Sequence, residues 1–184
     1  MSDIPSPDVP VPDVPVADAP SPDVPSPTPS PAEMEQLFPG VESAGPLVGI
    51  LMGSESDRPT MEKACAELEA RALSYEIRVI SAHRNPREVA EYAEKAAVRG
   101  LRVLICGAGM AAALPGVVAA YTELPVIGVP IASGGLGGMD ALLAISQMPP
   151  GVPVGCMAIG GARNAAIFAA RILAQGGTPI VDGE

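Results

Sequence analysis

The strongest constraint on this chain is a fivefold alternation of strand-like and helical segments that begins at Leu47. Five short apolar runs read as strands: LVGILM (47–52), YEIRVIS (75–81), RVLIC (102–106), PVIGV (125–129) and PVGCMAI (153–159). Each is followed by a segment of helical period: Arg58–Leu73, Pro86–Arg99, Met110–Ala120, about 138–147, and 163–174. In the first of these, Met61, Ala64, Cys65, Leu68 and Ala72 fall on one face. Ser56 or Asp57 is expected to cap it. Asn85 is expected to cap the second, with Pro86 in its first turn and Gly100 just past its end.

Strands separated by helices cannot pair as hairpins, so five such units imply a parallel sheet covered on both faces. Right-handed crossovers leave few arrangements. The expected fold is α/β: a three-layer, flavodoxin-like, doubly wound sheet of five parallel strands in the order 2-1-3-4-5. Tyr and Phe are scarce, whereas Ala and Gly abound. Small residues allow close helix approach but bury little area each, so some apolar helix faces are expected to pack on other copies of the chain.

The first 46 residues are of another kind. They hold 13 of the 22 prolines and eight acids, with no Lys or Arg. Asp recurs every five residues from Asp3 to Asp23 within a decaying pentad. Such a segment lacks the apolar surface to offset its ordering entropy, and proline removes backbone donors. Residues 1–46 are therefore read as an extended acidic tail, 47–175 as the folded domain and 176–184 as a short C-terminal tail. Without residues 1–46 the net charge of −10 falls to −2, and no basic patch points to nucleic acid. No apolar run is long enough to span a membrane. MSDIPSPD has neither a basic n-region nor an apolar h-region, so no secretory signal is expected. Cys65, Cys106 and Cys156 lack metal-ligand spacing and are expected to be buried free thiols in a reducing, cytoplasmic setting.

In a doubly wound sheet all strand-to-helix loops emerge at one edge, where ligands bind. Here they are GSESD (53–57), SAHRNP (81–86), GAGMAA (107–112), PIASGG (130–135) and IGGARN (159–164). Glycine-rich turns at helix starts offer N–H groups to an anion, so a phosphorylated small molecule is expected at this edge. His83, the chain's one histidine, lies in the second loop between Ser81 and Arg84. An ordinary imidazole titrates near pH ~6.5 and can carry a proton at neutral pH. Arg84 offers a fork of donors for phosphate or carboxylate. Ser54 is a candidate phosphate donor and Asp57 a candidate acceptor for sugar hydroxyls, although Asp57, like Ser56, also suits a helix cap. GAGMAA matches a weak dinucleotide fingerprint, but it follows the third strand rather than the first, which favours a packing turn over nicotinamide binding. No acid lies near His83 in sequence to complete a triad, and no metal cluster is expected.

At these loops the chain resembles the PurE family, the N5-carboxyaminoimidazole ribonucleotide mutases of purine (IMP) biosynthesis. The resemblance rests on VGILMGSESD (48–57), VISAHRNP (79–86), GAGMAAALPGVVAAYTELPVIGVPI (107–131), LGGMDALLAISQMPPGVPVG (136–155) and NAAIFAARILA (164–174), in that order. It implies transfer of a carboxyl group from the exocyclic nitrogen to ring carbon 4, by decarboxylation and recarboxylation, without ATP, metal or organic cofactor. It implies that His83 carries the proton between nitrogen and carbon. Ser54, Asp57 and Arg84 fall on the family's substrate-binding positions. Ser56, Ser81, Gly53, Gly107, Gly109, Ala113 and Leu114 lie in the same motifs and join the candidate binding set. It also implies a homo-oligomer, an octamer in the family, and functional pairing with the ATP-dependent synthase that makes the substrate.

The chain departs from the family pattern in three places. Ala113 stands where many members have a histidine. The loop at IGGARN is about two residues shorter than the common form. QGGTPIVDGE stands where the family usually continues into a helix. Alternatives remain at this level: a direct carboxylase that uses free carbon dioxide, a carboxylase of another nucleotide, or a non-catalytic nucleotide-binding protein.

Overall fold

The computed structural model describes residues 45–175 of the 184-residue chain. The expected tails, 1–44 of the first and all of 176–184, lie outside the described residues. In chain order the elements are β1 (Val48–Met52), α1 (Arg58–Ala70), β2 (Tyr75–Val79), α2 (Pro86–Ala96), β3 (Val103–Gly109), α3 (Ala113–Ala119), β4 (Val126–Ile131), α4 (Met139–Ser146), β5 (Gly155–Cys156) and α5 (Ala162–Ala174). Every strand pairing is parallel, and the order is β2-β1-β3-β4-β5. This is the doubly wound arrangement expected from the alternation.

Side chains of successive strand residues point to opposite faces, and the sheet has an apolar layer on each. Val48, Ile50 and Met52 of β1 and Ile105 of β3 pack with Met61 and Leu68 of α1 and with Ala165, Ala166 and Ala169 of α5. Leu51, Leu104 and Cys106 face the other way, toward Val89 and Ala93 of α2, Leu114 and Val118 of α3, and Ile145 of α4. Across the sheet Ile50 is in register with Ile77 and Ile105, and Ile105 with Ile127. Full burial of Ile50, Ile105 and Ile127 contributes roughly 1.5–3 kcal/mol each. The alanine face of α5 is wholly buried, consistent with the close helix approach expected from small residues. Gly49 serves the same end on β1, because a Cβ there would lie 2.5 Å from the Tyr92 hydroxyl of α2.

Several boundaries differ from the sequence expectation, each for a local reason. α1 ends at Ala70 rather than Leu73, because Ala72 turns left-handed at φ 53°. Ala72 N then donates to Glu69 O, and Leu73 N to Leu68 O, both at 3.0 Å, which closes a Schellman turn. α2 ends at Ala96 rather than Arg99, and Gly100, at φ 96°, closes the turn beyond it. β3 runs on through Gly109, so half of the expected GAGMAA loop is strand, and α3 starts three residues late at Ala113. β5 is an edge strand of two paired residues rather than seven, because only Gly155 and Cys156 pair with β4. Asn85 occupies the cap position of α2 but makes no cap bond; its amide donates instead to Glu88 Oε2 at 3.0 Å. Among the described residues no helix is long and apolar enough to cross a membrane.

Candidate active site

Because all five strands are parallel, the loops after β1, β2, β3 and β4 meet at one sheet edge. There they enclose a cavity of about 420 Å³. The loop after β1 is built by a short 3-10 turn, Glu55–Asp57, that runs directly into α1. Capping therefore occurs one turn earlier than expected. Asp57 stands at the N-cap position of α1, as expected, but makes no cap bond there; the side chain that caps is that of Ser54, at the start of the 3-10 turn. Its hydroxyl oxygen accepts from Ser56 N at 3.3 Å and from the Ser56 hydroxyl at 2.9 Å. Ser54 N in turn donates to Asp57 Oδ2 at 3.1 Å, completing a reciprocal capping box.

Asp57 is the buried charged residue of the described chain, at 7% exposure. Burial pushes its carboxyl above the usual aspartate value, and hydrogen bonds from Ser54, Ser56 and the Gly53 backbone offset part of that rise. Gly53, Ser54, Ser56 and Asp57 all line the cavity.

The loop after β2 supplies Ser81, Ala82, His83 and Arg84. Asn85 N donates to Ser81 O at 2.8 Å and Arg84 N to Ser81 Oγ at 3.3 Å, so Ser81 holds the turn on which His83 and Arg84 project. His83 is exposed at the cavity wall. Arg84 Nη2 donates to the Gly53 carbonyl at 3.3 Å. Among the described residues Arg84 has no carboxylate partner, which leaves donors of its fork open to a ligand anion.

The end of β3, the turn after it and the start of α3 line the cavity with Ala108, Gly109, Met110, Ala111, Ala112, Ala113 and Leu114. Met110 and Ala112 are both left-handed, at φ 55° and 41°. Non-glycine residues held there store strain that only a well-determined surrounding maintains. The candidate Gly107 is not among the lining residues. A Cβ at Gly107 would meet Met61 Sδ at 2.4 Å, so this glycine admits α1 to the sheet. The close-packing reading of GAGMAA thus holds at Gly107.

Sequence reasoning missed Ser133, which follows β4 and lines the cavity. Its signal was a serine just past the fourth strand, in a loop already placed at the right edge. The fifth loop, 159–164, contributes nothing to the lining. Past β5 the chain still follows β4, with Met157 N donating to Gly128 O at 2.9 Å and Gly160 N to Pro130 O at 2.8 Å, and α5 begins at Ala162. Cys65 and Cys106 are buried and free and Cys156 is half-buried and free, and burial raises all three thiols. Among the described residues no group of three or more His, Cys, Asp or Glu side chains is placed to hold a metal ion.

Three comparisons bear on this edge. The family model described as AIR carboxylase matches residues 47–181. The chain is 56% identical over 133 residues to the N5-carboxyaminoimidazole ribonucleotide mutase of Pyrococcus horikoshii, covering 72% of this chain and 75% of that protein. The Synechocystis protein of the same name is 56% identical over 133 residues, covering 72% and 76%. Among solved structures, Treponema denticola PurE superposes with a TM-score of 0.64 at 34% identity, covering 71% of this chain and 82% of that one.

Proposed function

The chain belongs to the AIR carboxylase family, and from that premise we propose that it is an N5-carboxyaminoimidazole ribonucleotide mutase of purine biosynthesis with His83 as its proton carrier. One observation carries the assignment of roles: His83, Arg84, Asp57 and Ser54, from two separate loops, line a single cavity large enough for a mononucleotide. Arg84 and the serine hydroxyls suit the phosphate, and the Asp57 carboxylate suits ribose hydroxyls.

The reaction needs one proton to change places. As the carbon–nitrogen bond breaks and carbon dioxide leaves, protonated His83 delivers its proton to the exocyclic nitrogen. Ring carbon 4 then attacks the retained carbon dioxide, and neutral His83 removes the proton displaced from carbon 4. The imidazolium is restored, and no other acid or base is consumed. Positioned proton transfer of this kind is worth about 10²–10⁴-fold. Retention of carbon dioxide inside the loops supplies the remainder, because its escape ends the cycle.

Residues 47–175 form the catalytic unit in this reading, working in the cytoplasm on a substrate made by an ATP-dependent synthase. Leu136, in the turn after β4, and Met139 and Leu143, one helical turn apart on α4, leave apolar side chains exposed at 66%, 50% and 51%. These exposed apolar side chains support self-association of the chain.

The description of the family model favours a second reading, direct carboxylation of aminoimidazole ribonucleotide. The assay that separates them supplies either N5-carboxyaminoimidazole ribonucleotide alone or aminoimidazole ribonucleotide with bicarbonate, both without ATP. The mutase reading expects rapid product from the first only. Fast turnover of the second at modest bicarbonate contradicts it.

A further inference from the structure

Ser133 stands at the cap position of a 3-10 turn, Gly134–Leu136, yet its side chain makes no cap bond. A serine there ordinarily accepts from the backbone N–H two or three residues on. This one instead lies over β3: a Cβ built on Gly109 would sit 2.0 Å from Ser133 Oγ. Gly109 has an ordinary backbone angle, so what a side chain at 109 would displace is this hydroxyl. Ser133 lines the cavity, is half-buried, and its hydroxyl has no hydrogen-bond partner among the described residues. A free donor held over a glycine on a cavity wall is arranged to meet a ligand.

Its position narrows which part of the ligand it meets. His83 and Arg84 follow β2, and Ser133 follows β4, with β1 and β3 between them. The ends of β2 and β4 lie three strand spacings, roughly 14 Å, apart, and the Arg84 guanidinium, resting on the Gly53 carbonyl after β1, lies two spacings, roughly 10 Å, from the end of β4. A phosphate on Arg84 is then beyond the reach of Ser133, and Asp57, after β1, takes the sugar. What remains for Ser133 is the substituted ring, approached from the side opposite His83. A neutral hydroxyl donor suits a carboxylate oxygen there.

We propose that Ser133 is a substrate-contacting residue that reads the carboxyl group on the imidazole ring; this rests on the mutase reading. The test compares Ser133→Ala with wild type by calorimetric titration of two nucleotides that differ only in that group: 4-carboxy-5-aminoimidazole ribonucleotide and 5-aminoimidazole ribonucleotide. Ser133→Ala is expected to weaken the carboxylated nucleotide roughly tenfold or more and to leave the other within about twofold, with an unchanged melting temperature. Equal weakening of both, or of neither, overturns the proposal. Wild-type protein that binds neither nucleotide overturns the mutase reading itself, and Ser133's role with it.

Discussion

Arg84, on the loop after β2, reaches the loop after β1 and donates through Nη2 to the Gly53 carbonyl at 3.3 Å. This contact fixes the direction of the guanidinium while the rest of its fork stays open. A preset fork loses less entropy on meeting a phosphate than a free side chain does.

Arg84→Ala is therefore expected to raise the substrate KM by about tenfold or more, with a smaller effect on kcat, as removal of uniform binding does. Arg84→Lys restores the charge but not the fork, and its KM should fall between the two. Steady-state kinetics decides this. A lowered kcat with unchanged KM would assign Arg84 to the chemical step instead.

Asp57 gives a pH signature. Its carboxyl is raised by burial, so the folded chain holds that proton to higher pH than the unfolded chain does. Its contribution to stability is therefore greatest below the unfolded aspartate value of about 3.9. It is lost as pH rises through the folded value. Asp57→Asn keeps an acceptor for Ser54 N and removes the buried charge. Urea titrations should show the variant gaining stability relative to wild type between pH 3 and pH 7. A relative loss over that range would mean that the ionised form is the favoured one.

Ala72 offers a prediction away from the site. It holds the left-handed position of the Schellman turn that ends α1, where glycine carries no Cβ penalty. Ala72→Gly should stabilise the fold by about 0.5–1 kcal/mol and leave turnover unchanged. The reading is the urea midpoint at constant slope; a lower midpoint contradicts it.

The sheet and most of the cavity wall were legible in the sequence because they rest on periodic burial and on polar loop composition. Ile50, Ile105 and Ile127 announce a buried parallel sheet, and GSESD and SAHRNP stand out against apolar strands. What was not legible depends on backbone twist at single residues. Nothing in the residue types shows that Met110 and Ala112 turn left-handed and delay α3, or that Ala72 cuts α1 short. Gly107 and Gly109 look alike in sequence, yet one makes room for Met61 and the other for Ser133. That difference appears only once α1 and the loop after β4 are packed on β3. Ser133 went unnoticed for the same reason: a serine after a strand reads as a cap, and here it caps nothing.

The central claim is that His83 moves the proton between nitrogen and ring carbon. It is tested most directly by His83→Asn, assayed side by side for nucleotide binding and for conversion of N5-carboxyaminoimidazole ribonucleotide. Binding should persist, because Arg84, Asp57 and Ser54 are untouched, while turnover should fall at least about a hundredfold. Unchanged turnover in the variant would contradict the claim.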